Sequence, residues 1–268
     1  MKLLVVGAGT MGRWFARSVA PAVDRVTFAD SDGAAARAAV AAFEDRDGTP
    51  ETAVDDGGPA DVVCVAVPIS TVPDAVAEHG PRAERALVDV SGEMRTAVEA
   101  LADAAPDRER ASFHPLFAPG NEPGNCAVVV DRGGPAVRTI RETLVDRGNH
   151  VFDTTPEEHD RAMATVQARA HAAVLAFGLA AEDVPEEFHT PVSGPLADLV
   201  ANVTGGNPGV YAEIQDAFEG AETVADAARR VADATDGSEA FAGVYAEAGA
   251  GAFGLDDTSD AGTDGDDP

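Results

Sequence analysis

The residues best suited to chemistry in this chain begin at His114-Pro115-Leu116-Phe117. An imidazole, with a reference pKa of about 6.5, is largely free base at neutral pH and accepts a proton readily. Pro115 stiffens the backbone beside it. Oxidation of an alcohol needs such a group, because the hydroxyl proton must go somewhere as hydride leaves the carbinol carbon. The alternative reading of His114 is a loop histidine that caps backbone groups. His159 and His171 fall within one helical pattern, where Gln167 and His171 share a face with Met163 one turn earlier. A lone helical histidine is otherwise a surface or satisfied core residue, and His79, His150 and His189 have no context that suggests more. No His-x₃-His spacing occurs, and Cys64 and Cys126 stand too far apart for a disulfide scaffold or a metal site, so no metal is expected. Neither a Gly-x-Ser-x-Gly elbow nor a P-loop lysine motif is present, which argues against hydrolase and kinase chemistry.

A hydride needs an acceptor, and the start of the chain offers a place for one. Leu3-Leu4-Val5-Val6 is an apolar run without alternation, the pattern of a parallel strand buried on both faces. It breaks into Gly7-Ala8-Gly9-Thr10-Met11-Gly12 and continues as a helical pattern from Arg13 to Val19. Glycines at this spacing allow a tight turn and let backbone approach a pyrophosphate, while the following helix directs its unpaired N–H groups at the phosphates. A second apolar run, Arg25 to Ala29, ends at Asp30, where an acidic residue takes the ribose hydroxyls and repels a 2′-phosphate. This predicts a dinucleotide site that favours NAD over NADP; a glycine-rich turn in some other doubly wound protein is the alternative. The run Asp61 to Val67 stops at Pro68, which cannot donate to a ladder and ends the strand where the cofactor crevice should open.

Strand and helix patterns alternate throughout the first half. After the helix Ala34 to Phe43, the polar stretch from Glu44 to Pro59 reads as a loop, and Ser70 to His79 as a crossover helix. Arg85 to Val90 reads as a buried strand and Glu93 to Ala105 as a helix. His114 is expected just after a strand, at the carboxyl edge of the sheet. Cys126 to Asp131 and His150 to Asp153 are further strands flanking a helix from Pro135 to Arg147. The expected fold is α/β: a doubly wound, mostly parallel sheet with helices on both faces over residues 1–153.

From Thr154 the rhythm changes. Thr155-Pro156-Glu157-Glu158 combines a cap, a proline in the first turn and an acid, and predicts a helix running unbroken from Pro156 to about Glu182. Only helical patterns follow, so residues 154–255 are expected to form an all-helical domain. The span from Met163 to Leu179 is too apolar for one exposed face, which predicts a homodimer through this half. Residues 256–268 read as an acidic disordered tail.

The chain has 268 residues, with 47 Asp plus Glu against 19 Lys plus Arg and a net charge of −28. Such a surface repels nucleic acid and anionic membranes, so neither is an expected partner. No apolar run approaches membrane-spanning length, and no targeting segment is evident; a cytoplasmic protein is expected. The acidity fits adaptation to a very salty cytoplasm, in which case dialysis into dilute buffer would unfold the chain.

Taken together, three stretches resemble the prephenate dehydrogenase family: Gly7 to Gly12, His114-Pro115-Leu116-Phe117-Ala118-Pro119, and Glu158-His159-Asp160-Arg161-Ala162-Met163 leading through Gln167 to His171. A weaker fourth is Asn207-Pro208-Gly209-Val210-Tyr211-Ala212-Glu213-Ile214. The resemblance implies a Rossmann-type nucleotide domain followed by a helical dimerisation domain. It also implies NAD-dependent oxidative decarboxylation of prephenate to 4-hydroxyphenylpyruvate, the tyrosine-forming route. His114 falls on the family's catalytic histidine, with Ser91 as the serine near it, and His159, Gln167 and His171 match positions on the substrate side of the cleft. The chain departs from the family in two places. Asp89-Val90-Ser91-Gly92-Glu93-Met94 carries its serine one place early and lacks a lysine, and no arginine occurs between Arg169 and Arg229 where the family has one for a substrate carboxylate. Arg169 and Arg95 are the substitutes expected from position. Arogenate dehydrogenase, another NAD-linked 3-hydroxyacid-type dehydrogenase, and an NAD-binding sensor without turnover are the competing readings; a sensor would not require His114.

Overall fold

The computed structural model describes residues 1–43 and 50–251. The expected tail at 256–268 and the first part of the expected loop after Phe43 lie outside the described residues. One eight-stranded sheet dominates, built from β1 (Lys2–Val6), β2 (Arg25–Ala29), β3 (Glu51–Val54), β4 (Ala60–Val65), β5 (Ala83–Asp89), β6 (Glu109–Pro115), β7 (Asn125–Arg132) and β8 (His150–Asp153). Its order is β3-β2-β1-β4-β5-β6-β7-β8. All neighbours are parallel except β6 and β7.

The unalternating apolar runs have a direct packing cause. Leu3 and Val5 point into the core shared with α1 (Thr10–Val19), α2 (Gly33–Phe43) and α5 (Pro135–Asp146), through Trp14, Phe15, Ala36, Phe43, Ile140 and Leu144. Leu4 and Val6, one residue out of step, meet Val72, Val76, Ala97 and Leu101 of α3 (Val72–His79) and α4 (Arg95–Ala104) on the opposite face. Both faces are covered, so each position is apolar. Cys64 and Cys126 are buried free thiols in this sheet, as a small hydrophobe would be.

Within the sheet, two segments differ from the sequence expectation. Glu51–Val54 is a strand rather than loop: it pairs in parallel with β2 from Arg25↔Glu51 to Phe28↔Val54, and as an edge strand with half-buried Thr52 and Ala53 it carries almost no apolar signal. His114 and Pro115 are the last residues of β6 rather than residues beyond it, paired to Ala127 and Cys126 of the antiparallel β7.

Among the described residues after Asp153 the regular elements are all helical: α6 (Pro156–Met163), α7 (Ala170–Ala180), α8 (Ser193–Thr204), α9 (Pro208–Ala217), α10 (Ala221–Asp233) and α11 (Ser238–Gly251). The Thr155 side chain caps α6 by accepting the Glu158 N–H at 3.2 Å. The expected unbroken helix is instead interrupted by a π-helical turn over Ala164–Arg169 and ends at Ala180. The π-turn is anchored from outside. The Ala168 carbonyl accepts Gln215 Nε2 of α9 at 2.8 Å, and a Cβ on Gly220 would lie 2.5 Å from the Ala168 carbonyl carbon, so only glycine admits the chain there. None of the described helices is long and apolar enough to cross a membrane.

Candidate active site

Parallel β1, β4, β5 and β6 end at one edge of the sheet, where the strand order reverses between β1 and β4 and ligands of such sheets bind. A cleft of about 770 Å³ opens there, lined by Gly7, Gly9, Asp30, Val67 and Pro68 of the expected cofactor set, together with Asp55, Asp74, Glu78 and His79. Gly7 has a φ of +99°, and a Cβ on it would stand 2.3 Å from the Ala66 carbonyl oxygen. A Cβ on Gly9 would meet nothing within 4 Å, leaving the backbone open to the cleft. No side chain caps the start of α1, so its first N–H groups remain free for an anion. Asp30 Oδ2 accepts the Ala8 N–H at 2.8 Å, which ties the acid after β2 to the glycine turn. These features fit a dinucleotide: an open backbone face for the pyrophosphate and a carboxylate at the ribose end. Thr10, Met11 and Gly12 do not line the cleft. Thr10 opens α1 in solvent, Met11 packs partly against the core, and Gly12 lies beneath Gly7.

Along the same edge stands His114, only 7% exposed. Its Nδ1 lies 2.8 Å from His159 Nε2, and its Nε2 lies 3.5 Å from Gln167 Nε2. A Cβ on Gly92 would come within 3.7 Å of the same Nε2, so glycine keeps that nitrogen uncovered. Burial above all, with the neighbouring His159, pushes the His114 imidazole down to about 3, leaving it a neutral acceptor at physiological pH. His159 is buried behind His114 rather than on a cleft wall, its Nδ1 2.8 Å from Asp160 Oδ1. Asp160 in turn accepts the backbone N–H of Met94 at 3.0 Å and of Arg95 at 3.2 Å. Asp160 lies within the stretch that resembles the family, but the sequence gives it no role of its own; its only local signal is its adjacency to a histidine.

Ser91 is not paired with His114. Its hydroxyl is shared between Asp89 Oδ2 and the Glu93 carbonyl, and the Nδ1 of His114 is met by His159 instead. Arg169 turns back along its own helix to Thr165 Oγ1 at 3.1 Å. His171 packs edge-on to Tyr211 with ring centroids 4.7 Å apart, and burial holds its imidazole below the usual value. Gln167 Oε1, Arg169 Nε and His171 Nδ1 are buried without hydrogen-bond partners, as is Gln215 Oε1 beside the π-turn. Buried polar atoms are seldom left unpaired, and π-turns recur at functional sites. This cluster therefore has the character of a ligand wall. No group of three or more metal-ligating side chains occurs among the described residues.

Asp89, at the end of β5, is wholly buried; burial pushes its carboxyl up to about 6, tempered by hydrogen bonds from Ser91. Its Oδ1 and the hydroxyl of Ser112, its cross-strand neighbour, both lack partners. A raised folded-state value means that this group stabilises the protein at low pH and that the contribution is lost as pH rises through about 6. His114 has the opposite sign: its lowered value costs stability as pH falls from about 6.5 toward 3. Asp89→Asn, whose amide can donate to Ser112, is expected to stabilise the fold by about 1–3 kcal/mol above pH 6 and to leave a simpler acid decline. Denaturant melts across pH test this; an unchanged slope between pH 4 and 6 would count against it.

No protein-family model matches the sequence. The 4-amino-4-deoxyprephenate dehydrogenase of Streptomyces pristinaespiralis is 33% identical over 240 residues, spanning 85% of this chain and 81% of that protein. The chain belongs to the prephenate dehydrogenase family. In fold it is similar to the crystal structure of A. aeolicus prephenate dehydrogenase in complex with hydroxyphenyl propionate and NAD+, with a TM-score of 0.67 at 17% identity over 93% of this chain and 96% of that one. Synechocystis arogenate dehydrogenase gives 0.55 at 16% identity over 93% and 98%. The mostly parallel sheet with a following helical region is thus the architecture of the prephenate dehydrogenases, and this member is a dehydrogenase by family.

Proposed function

We propose that this protein catalyses the NAD-dependent oxidative decarboxylation of prephenate to 4-hydroxyphenylpyruvate, with His114 as general base. The observation that carries the reading is the buried imidazole of His114 at the carboxyl edge of β6, its Nε2 held only by a long 3.5 Å contact with Gln167 Nε2, along the same sheet edge as the glycine-turn cleft. When bound, the nicotinamide supplies the hydride acceptor. Gly7, Gly9 and the first turn of α1 hold the pyrophosphate, and Asp30 takes the ribose hydroxyls. His114 Nε2 accepts the ring hydroxyl proton as hydride leaves the same carbon. The ring carboxylate departs as carbon dioxide, its bonding pair completes the aromatic ring, and the imidazolium returns its proton to the phenolic oxygen. Gln167, His171 and Arg169 bind the substrate through the polar atoms that the structure leaves unpaired.

A second reading concerns the substituent on the reacting carbon. Gln167 Oε1 is a buried acceptor without a donor, beside a second acceptor in His114 Nε2. Two acceptors suit an amine as well as a hydroxyl, and the Streptomyces relative is named for a 4-amino substrate. The purified protein, assayed for nicotinamide reduction with prephenate, arogenate and 4-amino-4-deoxyprephenate, is expected to have its highest kcat/KM with prephenate; a higher value with either competitor reassigns the substrate. NAD+ is expected to outperform NADP+ by about 10–100-fold, because Asp30, Asp55, Asp74 and Glu78 line the cleft without a lysine or arginine among the lining residues. We further propose a homodimer through the helices after Asp153. No residue of α7, α8 or α10 is buried within the chain, and Leu179, Phe188 and Val192 are 89%, 74% and 71% exposed. Sedimentation of the same preparation should give twice the chain mass, and a monomer would remove this part of the reading.

A further inference from the structure

Three buried side chains form a line that ends at the reacting nitrogen. Asp160 Oδ1, His159 Nδ1, His159 Nε2 and His114 Nδ1 are joined by two contacts of 2.8 Å, and His159 is 3% exposed. The Asp160 carboxylate is clamped by the Met94 and Arg95 N–H groups where α4 begins. Burial pushes its carboxyl up, but the bonds from His159 and the Met94 N–H outweigh this and hold it below the usual value.

The proton positions follow from this order. An ionised carboxylate only accepts, so His159 Nδ1 carries a hydrogen. When His159 carries a single hydrogen, its Nε2 is an acceptor and His114 Nδ1 donates to it. The remaining nitrogen, His114 Nε2, then carries the lone pair, which faces Gly92 and accepts from Gln167 Nε2 in a long contact of 3.5 Å that a substrate hydroxyl would replace.

We propose that His159 and Asp160 are positioning residues for the base, fixing the tautomer and orientation of His114 and sharing its positive charge while Nε2 holds the substrate proton. This rests on the reading of His114 as the base. No proton leaves along the line: the bond broken is the substrate O–H, the bond formed is Nε2–H, and the proton later returns to the phenolic oxygen. Ser91, expected near His114, takes no part in the line, because its hydroxyl is held by Asp89 and Glu93. The charged groups facing the histidine pair are all carboxyls: Asp160 on α6, Glu93 ahead of α4, where it packs against Asp160, and Asp89 at the end of β5. Asp160 favours the imidazolium of His114, so removing its charge makes the base weaker.

The test compares Asp160→Asn, His159→Gln and His114→Asn with the parent enzyme. Asp160→Asn is expected to lower kcat by about 10–100-fold, to move the acid limb of the kcat profile to lower pH, and to leave substrate KM and NAD+ affinity within about twofold. A general loosening of the fold would not leave both binding constants in place. Nitrogen-15 shifts of His114 in the parent enzyme should report hydrogen on Nδ1 and none on Nε2; the reverse tautomer overturns the proposal even if neither variant folds. If His114→Asn abolishes turnover while folded Asp160→Asn and His159→Gln keep the parent kcat and acid limb, the positioning role fails and the base survives. If His114→Asn itself keeps turnover, the base assignment fails.

Discussion

His114→Asn should lower kcat by about 10²–10⁴-fold, the usual loss when a general base is removed. Asparagine matches the near half of the imidazole and can still hydrogen-bond His159, so the end of β6 is expected to hold its place against Ala127. The nitrogen that it cannot reproduce is Nε2. His114 does not line the glycine-turn cleft, so NAD+ titration should give nearly the parent affinity. This split between lost turnover and retained cofactor binding separates an enzyme from an NAD-binding sensor. Parent-like turnover in the folded variant would remove residue 114 from the chemistry and leave only the nucleotide fold.

The second large effect is expected at the glycine turn, where two neighbouring glycines should behave differently. A Cβ on Gly12 would fall 1.9 Å from the Gly7 carbonyl oxygen and 3.1 Å from Val5 Cγ1, and backbone cannot move aside as a flexible side chain can. Gly12→Ala must therefore push α1 off β1, costing about 1–3 kcal/mol of stability and misaligning the N–H groups that face the phosphates. A Cβ on Gly9 meets nothing in the free protein, so Gly9→Ala should melt like the parent. Its methyl nevertheless occupies the face that backbone must present to a pyrophosphate, and NAD+ affinity should fall by about tenfold or more. Thermal melts with NAD+ titration read both effects. A Gly9→Ala protein that binds NAD+ like the parent would place the pyrophosphate elsewhere.

Legibility from sequence followed how local the cause was. Leu3 to Val6 could be read as a doubly covered strand because both its faces bury apolar side chains, and Thr155-Pro156 could be read as a helix start because cap and proline act within one turn. Glu51–Val54 could not, since an edge strand with two half-buried residues has no pattern of its own and is held by the backbone of β2. The π-turn was equally hidden: the apolar spacing from Met163 to Leu179 continues through it, and its anchors, Gln215 and Gly220, arrive from later helices. His114 was placed at the correct sheet edge from its neighbours in the chain. Its partner was not, because the two histidines lie 45 residues apart and meet only through the packing of α6 against the start of α4.

The amino-acid order alone determined a nucleotide-binding sheet with its glycine turn and Asp30, an apolar helical half after it, and a histidine at the carboxyl edge. These are properties of short segments, set by which faces are apolar and by where glycine and proline permit a turn. Tertiary structure decided what surrounds that histidine: His159 and Asp160 behind it, Ser91 turned to Asp89, and Gln167 brought alongside by the π-turn. Such contacts depend on where separate elements come to rest against one another, to within about an ångström, and hydrophobic periodicity encodes the buried face of a helix without that precision.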